Sequence, residues 1–527
     1  MSNLFKGITT SISKALMTGA KEETKAETKE PLKEESKTKK KKTPEEKKAY
    51  RLNKYDLTEE EYEEQRYDLL GGISMKWLMT KPKIRAKVDY VAERYGAPRG
   101  EVYAKAIKLS NEHGITLNKF AREDLFALEG EDLEAAITKI HEKRQRQYQT
   151  LSNITGMDID EVKAYIEKMN EEYGVGVANI IDNELFKLSH DEIVELLEKN
   201  KRENELRKEK IKKANNWDDF EFERSVAYCR FRYFIYSLKI YDNLGCWAYP
   251  REVLDTFAVP RDRIDLCRTY NTASTKVLDN KIDFDIAFKD FLGRKFWVNK
   301  DTNIDEFRDF IDGQDRLFCK PINLCGGHGC YDYKVTDDVE AMYEYFMNEP
   351  LMIIEQIPKQ HHLINEIYPH SIDTVRVTAT IKDDKFIPIN SWIKFGANGS
   401  VVDGRASGGC FAGVDVKTGI VDTPAINYDN ERFTNHMDTG KPITGFQIPY
   451  WPEVLDLAER ALRHIDGINF VGWDICVTED GPIIIEGNSG PALADVQLLY
   501  SYEGHEGEGQ RWRYIDLLED PDKWRRV

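Results

Sequence analysis

The sequence lacks long apolar stretches. Among its 527 residues, no run of eighteen consecutive apolar residues occurs, whereas a helix needs about twenty to cross a bilayer. A membrane-spanning helix is therefore not expected.

Cysteine is also scarce and irregularly placed. The chain has eight cysteines, none in a CxxC pair, and Cys325 and Cys330 are the only two close together. This pattern argues against a disulfide framework and against a zinc site. It predicts reduced thiols in a cytoplasmic protein.

Positive charge is in deficit. Lys and Arg total 76 against 93 Asp and Glu, a net charge of −17. Nucleic-acid binding in general needs a net basic surface and is not expected, although local basic sites for phosphate groups are compatible with this balance. The length predicts about three domains, and a hydrophobic content of 41% predicts that most of the chain is globular.

The N-terminal residues divide into a short amphipathic segment and a charged one. Residues 1–20 carry Leu4, Ile8, Ile12 and Leu16 at every fourth position, which predicts a short amphipathic helix. That helix either frays in solution or docks on a membrane surface or a partner protein. Residues 21–50 consist mostly of Lys, Glu and Thr and are expected to form a disordered, charged linker.

Residues 51–215 have the periodicity of a helical domain with a two-copy repeat, at about 101–136 and 161–196. At an offset of 60 residues Val102 matches Val162 and Gly114 matches Gly174. Each copy is predicted to form a helix, a Gly stop and shorter helices. No catalytic constellation lies in it, so a scaffold or docking role is favoured over a chemical one.

From residue 216 the composition changes. An aromatic-rich helical lead-in (216–277) precedes short β-rich runs that begin near Leu317 and alternate with helical patterns. The run TVRVTATIKDDKFIPINSW predicts an antiparallel hairpin. Together these features predict an α+β fold.

A Gly-rich loop follows a lysine in FCKPINLCGGHGCYDYKV. Lys320 ends a predicted strand, and Gly326, Gly327 and Gly329 follow. Such a loop lets backbone N–H groups approach phosphate oxygens while the lysine neutralises their charge. The same pattern fits an ordinary Gly-rich hairpin equally well.

Two further strands carry charged residues. In LMIIEQIPKQ, Glu355 ends an apolar strand and precedes Gln356 and Ile357, which suits an adenine ring or an ordinary strand end. In SIDTVRVTATI, alternation places Arg376 on the face opposite Val375 and Val377. Arg376 is predicted to form either a structural salt bridge or a clamp on an anionic group.

Three oxygen-bearing side chains stand out in GWDICVTEDGPIIIEGNSGPA. Glu486 and Asn488 are two apart and share a strand face, and Asp474 lies on the preceding strand of a predicted hairpin. A half-buried hairpin with a polar rim accounts for them, and so does a magnesium site, because Mg²⁺ prefers oxygen ligands.

The order of these motifs is more specific than any one of them. From about Leu278 to the C-terminus the sequence resembles the ATP-grasp superfamily, most closely its sugar-transfer-associated group, through SIDTVRV, GWDICVTEDGPIIIEGN and Gln497. The resemblance implies the ATP-grasp fold, two α+β subdomains that clamp ATP, over residues 216–527.

The resemblance also implies roles for individual residues. Lys281 and Lys320 match the nucleotide-binding lysines, and Gly326, Gly327 and Gly329 match the phosphate-covering loop. Glu355, with the Gln356 and Ile357 backbone, matches the adenine hinge. Asp474, Glu486 and Asn488 match the ligands of Mg²⁺.

One position departs from the family pattern. Many amino-acid ligases of the superfamily carry an Arg two residues before the metal-binding Asp, and this chain has Gly472 there. Arg376 or Lys394 would have to substitute for it, and Arg376 and Lys320 are the expected catalytic cations. Asp403 and Arg405, with Lys394, are weaker candidates for a substrate site, since a plain β-turn region explains their segment as well.

The implied activity is ATP-dependent ligation of a carboxylate to an amine or other nucleophile, with ATP and Mg²⁺ as cofactors. The substrates would be small-molecule, sugar or peptide carboxylates and amines. Phosphoryl transfer without ligation is an alternative, and a nucleotide-sensing interaction protein is another. His361 and His362 are adjacent, so strand geometry would point them to opposite faces and let at most one line the site.

Overall fold

The computed structural model describes residues 81–183, 185–322 and 329–521. The predicted amphipathic helix (1–20) and charged linker (21–50) lie outside these residues, as do Gly326 and Gly327 of the Gly-rich loop.

Helices account for the regular structure of the described residues up to Ala287. They are α1 Pro82–Tyr95, α2 Arg99–His113, α3 Leu117–Arg122, α4 Gly130–Thr155, α5 Ile159–Tyr173, α6 Val177–Asp182, α7 His190–Asn215, α8 Asp219–Arg232, α9 Leu238–Asn243, α10 Arg251–Leu254, α11 Pro260–Tyr270, α12 Lys276–Asp279 and α13 Lys281–Ala287.

The order α2, α3, α4 recurs as α5, α6, α7 with each helix starting 60 residues later. Helices α2 and α5 both end at a glycine in the left-handed region, Gly114 at φ 63° and Gly174 at φ 68°, a conformation that glycine adopts without strain. Val102 and Val162 are both fully buried. Each of the two segments therefore has its own apolar cluster beneath equivalent helices.

Strands and helices alternate from Phe296 onward. They are β1 Phe296–Val298, α14 Ile304–Ile311, β2 Arg316–Pro321, β3 Tyr331–Lys334, α15 Val339–Asn348, β4 Met352–Gln356, α16 His362–Asn365, β5 Val375–Lys382, β6 Lys385–Phe395, β7 Cys410–Val414, β8 Ala425–Asn427, β9 Arg432–Phe433, α17 Trp451–Leu462, β10 Phe470–Thr478, β11 Gly481–Asn488 and α18 Ala494–Leu499.

The strands form two antiparallel sheets. The smaller has the order β1-β4-β2-β3 and the larger the order β11-β10-β5-β6-β7-β8-β9. The predicted hairpins β5–β6 and β10–β11 are both present, the second closing with Thr478 opposite Gly481. The predicted α+β fold, preceded by an all-helical region, is confirmed.

Helices pack against both sheets. Helices α14 and α15 cover the small sheet through a cluster that includes Trp297, Phe307 and Phe346. Helix α17 covers the large sheet through Val454 and Leu457, with an amphipathic pattern that matches its single buried face.

The aromatic lead-in packs on the large sheet. Tyr233 and Phe257 join Trp392 of β6 and Phe411 of β7 in one buried cluster. This placement puts the end of the lead-in, helix α11, beside the strands that carry the candidate site.

Within residues 81–183, 185–322 and 329–521, no helix is both long enough and apolar enough to cross a membrane.

Candidate active site

A cleft of about 1920 Å³ is lined by residues of both sheets and by helices α11 and α13. Most of the sequence-predicted site residues line it. They are Lys281, Lys320, Glu355, Gln356, Ile357, Arg376, Lys394, Asp403, Arg405, Asp474, Glu486 and Asn488.

One face of the large sheet carries the polar residues in register. Asp474 on β10 lies opposite Glu486 on β11 and opposite Arg376 on β5, and Gly472 lies opposite Asn488. Because side chains alternate along a strand, residues paired across neighbouring strands share a face. The sheet therefore brings together residues that are up to 112 positions apart in the chain.

Arg376 and Asp474 form a two-bond ion pair. Arg376 Nε donates to Asp474 Oδ1, and Arg376 Nη2 donates to Asp474 Oδ2 at 2.7 Å. Asp474 is only 2% exposed. Burial would raise the pKa of its carboxyl, but Arg376 and Lys394 outweigh that effect and hold the pKa well below the ordinary value. Asp474 is therefore a buried carboxylate anion.

Lys394 is the second cation at this carboxylate. Its Nζ donates to Asp474 Oδ2 at 3.2 Å and lies 3.5 Å from Asp403 Oδ2. Asp403 in turn accepts bonds from Thr374 N at 3.0 Å and Thr374 Oγ1 at 2.5 Å. Burial lowers the pKa of Lys394, but Asp403 and Asp474 raise it to a net value above the ordinary one. Two cations thus converge on one edge of the cleft.

Glu486 and Asn488 face the open cleft. The side chain of Glu486 is exposed, yet its enclosure by the cleft walls and the neighbouring Asp474 raise the pKa of its carboxyl. Asn488 Nδ2 donates to Glu486 Oε1 at 3.2 Å and to Gly472 O at 3.4 Å, which leaves its amide oxygen as an acceptor. Two carboxylates and an amide oxygen on one face fit the oxygen-ligand preference of Mg²⁺.

Gly472 has no room for a side chain. A Cβ atom built there would lie 2.7 Å from Pro491 Cβ and 3.2 Å from Arg376 Cδ. The Arg376 side chain therefore occupies the space above Gly472, where an arginine at that position would begin. This packing accounts for the glycine at position 472, where the family pattern has an arginine.

A second ionic cluster joins the two sheets at the base of the cleft. Glu355 of β4 accepts from Lys320 Nζ at 2.8 Å and from Arg294 Nε at 2.9 Å. Arg294 also donates to Ile484 O of β11 at 2.7 Å. Burial would raise the pKa of Glu355, but Arg294 and Lys320 lower it to about 2. The Glu355 side chain is thus committed to these two cations.

Asp285 of α13 adds a carboxyl to this cluster. It is 2% exposed, and its Oδ2 atom has no hydrogen-bond partner among the described residues. Burial and then the neighbouring Glu355 raise the pKa of Asp285 well above the ordinary value. The sequence interpretation missed both Asp285 and Arg294. The available signal for Asp285 was a carboxylate between Phe284 and Phe288 on an apolar helix face.

The remaining predicted residues lie nearby. Lys281 begins α13 and donates to Ile322 O at 3.5 Å. Gln356 Nε2 donates to Phe310 O at 2.8 Å. Gly329 is exposed at φ 69°. The Arg405 guanidinium lies 4.8 Å from the Phe411 ring centre.

The strand geometry expected for the adjacent histidines is wrong, but of the two only His362 is among the described residues that line the cleft, as expected. His361 caps the short helix α16 instead of lying in a strand, and the rings of His361 and His362 stack 4.5 Å apart. His362 Nδ1 lies 2.9 Å from Glu479 Oε1 at the rim of the cleft. The two rings therefore lie on the same side, because the strand alternation that would separate them does not apply.

Residues 328–505 match the family described as sugar-transfer associated ATP-grasp. No curated protein matches the chain.

Among solved structures, the chain is similar to D-alanyl-alanine synthetase A from Vibrio cholerae, with 14% identity, 46% of this chain and 64% of that chain covered, and a TM-score of 0.29. It is similar to the ATP-grasp ligase PsnB complexed with a minimal precursor, with 14% identity, 48% and 63% covered, and a TM-score of 0.29. It is also similar to the D-alanine-D-alanine ligase from Coxiella burnetii, with 9% identity, 47% and 59% covered, and a TM-score of 0.27. The chain spans less than two thirds of each of these proteins.

The family match covers the strands that carry Arg376, Asp474 and Glu486. It confirms the resemblance inferred from the sequence motifs. Residues 328–505 of this chain are therefore similar to the sugar-transfer-associated ATP-grasp family.

Proposed function

We propose that the protein is an ATP-dependent ligase that activates a carboxylate as an acyl phosphate and joins it to an amine or another nucleophile. The observation that carries this proposal is the shared sheet face on which Asp474, Glu486 and Asn488 meet Arg376 and Lys394. Oxygen ligands beside two cations suit the transfer of a phosphoryl group to an anionic nucleophile.

The proposed reaction has two steps. A carboxylate oxygen of the first substrate attacks the γ-phosphorus of ATP, and the bond from that phosphorus to the β–γ bridging oxygen breaks to release ADP. The amine nitrogen of the second substrate then attacks the acyl carbon. The carbon–oxygen bond to phosphate breaks, and inorganic phosphate and a proton leave as the amide forms.

The chain's own residues would bind, orient and neutralise charge. Lys320, at the end of β2 beside Glu355, is the proposed phosphate contact on the small-sheet side. Arg376 and Lys394 are the proposed cations on the large-sheet side. Mg²⁺ bound to Asp474, Glu486 and Asn488 would supply further charge neutralisation to the phosphates. No covalent intermediate with the protein is required.

The nucleotide base is proposed to lie near the strand β4 and the segment after it. Gln356 and Ile357 line the cleft there. The side-chain contacts of Gln356 with Phe310 O and of Glu355 with Arg294 fix this segment to the small sheet. A fixed backbone can present its N–H and C=O groups to an adenine edge.

We further propose sugar or polysaccharide carboxylates and amines as substrates, and a cytoplasmic location. The seven described cysteines are free thiols, which supports a reducing compartment.

A screen for phosphate release tests the proposal. The full chain is incubated with Mg·ATP and with pairs of candidate carboxylates and amines drawn from amino acids, sugars and peptides. Ligation predicts ADP, inorganic phosphate and a new amide in equal amounts, detected by mass spectrometry. Phosphoryl transfer without ligation would give a phosphorylated product and no stoichiometric phosphate, which would replace the ligase proposal. A protein that binds ATP without any of these products would be a nucleotide-sensing protein.

Two variants control the screen. Glu486→Gln removes a proposed metal ligand and should abolish turnover, while the melting temperature stays near that of the wild type. Glu503→Gln makes the same chemical change at an exposed site and should turn over normally. Unchanged turnover in Glu486→Gln would disprove the proposed metal site.

A further inference from the structure

One end of the cleft is walled by a helix that precedes the family-matched region of 328–505. Helix α11, Pro260–Tyr270, lines the cleft with Arg263, Ile264, Cys267 and Arg268. Positions i, i+1, i+4 and i+5 lie on one face of a helix. The lead-in thus contributes one cationic helix face to the cleft of the ATP-grasp domain.

Helix α11 is fixed in place by contacts at both ends. Near its N-terminus, buried Asp262 accepts from Arg511 Nε at 2.6 Å. Just after its C-terminus, Asn271 Oδ1 accepts from Phe470 N of β10 at 2.8 Å. Cys267 Sγ donates to Ser489 O at 3.4 Å, directly after β11. The wall is therefore held against the strands that carry Asp474 and Glu486.

Three guanidinium groups at this end lack an ion-pair partner. Among the residues that the structure describes, no carboxylate lies within ion-pairing distance of Arg263, Arg268 or Arg405. Arg263 Nη1 donates to Gly490 O at 3.3 Å, and Arg405 lies against the Phe411 ring. An arginine carries five N–H donors, and most of those on these three side chains have no acceptor among the described residues.

One half-buried carboxyl group interacts with the arginines at this end. Asp495 of α18 is half-buried, and Arg405, Arg376 and Arg263 are the cations that attract it, in that order. Burial raises the pKa of Asp495 against this attraction. Arg376 is already paired with Asp474. Among the described residues Arg263 and Arg405 therefore attract Asp495 without forming an ion pair with it.

We infer that Arg263 and Arg405 form a subsite for a carboxylate or phosphate group that one of the two ligation substrates carries in addition to its reacting group. This inference rests on the proposed ligase function. The planar guanidinium fork suits both anions, because each can accept two parallel N–H bonds. Arg263, Arg376 and Arg405 line the same cleft, so a bound substrate would extend from the Asp474–Glu486 row to α11.

The subsite can be tested with probes that do not require turnover. The full chain is saturated with AMP-PNP and Mg²⁺, and the binding of succinate and butyrate is compared by isothermal titration calorimetry. The same comparison is made for β-alanine and propylamine. Each pair differs by one carboxylate, so a preference in the first pair assigns the extra anion to the carboxylate substrate and a preference in the second assigns it to the amine.

The expected result is a preference of about tenfold or more for the probe with the extra carboxylate in one of the pairs. Arg263→Ala and Arg405→Ala should each remove most of that preference, and Arg263→Lys and Arg405→Lys should keep part of it. AMP-PNP affinity and the melting temperature should not change in these variants.

The matched control is Arg308→Ala on α14, where the arginine pairs with exposed Asp305 and Glu340 on the surface. It should bind every probe as the wild type does. Equal or undetectable binding of both members in both pairs overturns the subsite, and so does a preference that survives Arg263→Ala and Arg405→Ala. If the preference is present but the phosphate-release screen yields no amide, the ligase proposal fails and the anion subsite stands.

Discussion

Gly472 shows how one missing side chain positions another. Arg376 starts on the neighbouring strand β5, opposite Asp474, and crosses the sheet face above Gly472 to reach that carboxylate. Pro491 closes the same space from the other side. The backbone of Gly472 is not in the left-handed region, so its conformation does not require glycine. Glycine is required because the neighbouring side chains leave no space for a Cβ atom.

Gly472→Ala should therefore impair the site. The added Cβ would lie 2.7 Å from Pro491 Cβ, and overpacking of this kind costs about 1–3 kcal/mol of stability. The displacement of Arg376 from Asp474 should also lower phosphate release. Urea denaturation and the product assay measure the two effects. Gly176→Ala is the control, because no heavy atom lies within 4 Å of its added Cβ. Wild-type turnover in Gly472→Ala would contradict this account of Arg376.

Asp285 predicts a pH effect on stability. Burial and Glu355 raise the pKa of Asp285 in the folded protein, so the folded state holds the proton more tightly than the unfolded state. For an acid shifted in this direction, the stabilising contribution is complete below the unfolded pKa of about 3.9 and is lost as the pH rises through the folded pKa.

Asp285→Asn should remove the loss of stability that the wild type shows as the pH rises. At pH 5 the variant and the wild type should differ little, and at pH 8.5 the variant should be more stable by about 1–2 kcal/mol. Urea midpoints at the two pH values give the difference. Asp283→Asn changes an exposed carboxylate on the same helix and should show no pH-dependent gap. If both variants showed the same pH-dependent difference in stability from the wild type, Asp285 would not be its cause.

At the scale of elements, the alternation of side chains along a strand could be predicted from the sequence, whereas the pairing of strands could not. Alternation along β5 placed Arg376 on the face opposite Val375 from the sequence alone, and the structure confirms that both valines at 375 and 377 are buried. The pairing of β5 with β10 was not readable, because it joins residues 98 positions apart. The sequence therefore left a salt bridge and an anion clamp as alternatives for Arg376. The structure provides the salt bridge partner, Asp474.

Arg294 was missed for a different reason. It lies between the helical segment and β1, where no periodic pattern constrains it, and its partners Glu355 and Ile484 lie 61 and 190 residues away. Only the packing of the two sheets brings these groups together. Its side chain is 2% exposed, which marks it as a buried link between the sheets.

Arg294→Met should weaken that link. Among the described residues, the substitution leaves Lys320 as the one cation paired with Glu355 and removes the bond to Ile484 O. Breaking a buried ion pair costs about 3–5 kcal/mol. Hydrogen exchange should accelerate first in the amides of β1 and β4, with a drop in the urea midpoint. Arg463→Met is the control, because Arg463 pairs with Asp384 and Glu459 at the surface. A loss below about 1 kcal/mol in Arg294→Met would show that the two sheets are held together elsewhere.

At the scale of the whole molecule, charge is distributed unevenly. The chain has a net charge of −17, yet Arg263, Arg376, Lys394 and Arg405 converge on one part of a single cleft. In a cleft with low-dielectric walls, such a cluster raises the local concentration of anions. Asp403, Asp474 and Glu486 line the same cleft, so the effect on the binding of a small anion is expected to be local to these four cations.

The N-terminal 48 residues contrast with the rest of the chain in composition. Residues 21–48 contain Ala26 and Leu32 as their only hydrophobic side chains, too few to offset the entropy of ordering the segment. Deletion of residues 1–48 should therefore shift the melting temperature by less than about 2 °C and leave phosphate release unchanged. Differential scanning calorimetry of the deleted and full chains measures the shift. Deletion of residues 1–20 alone separates the amphipathic segment from the charged one. A large decrease in melting temperature in either variant would mean that the deleted residues pack against the folded protein.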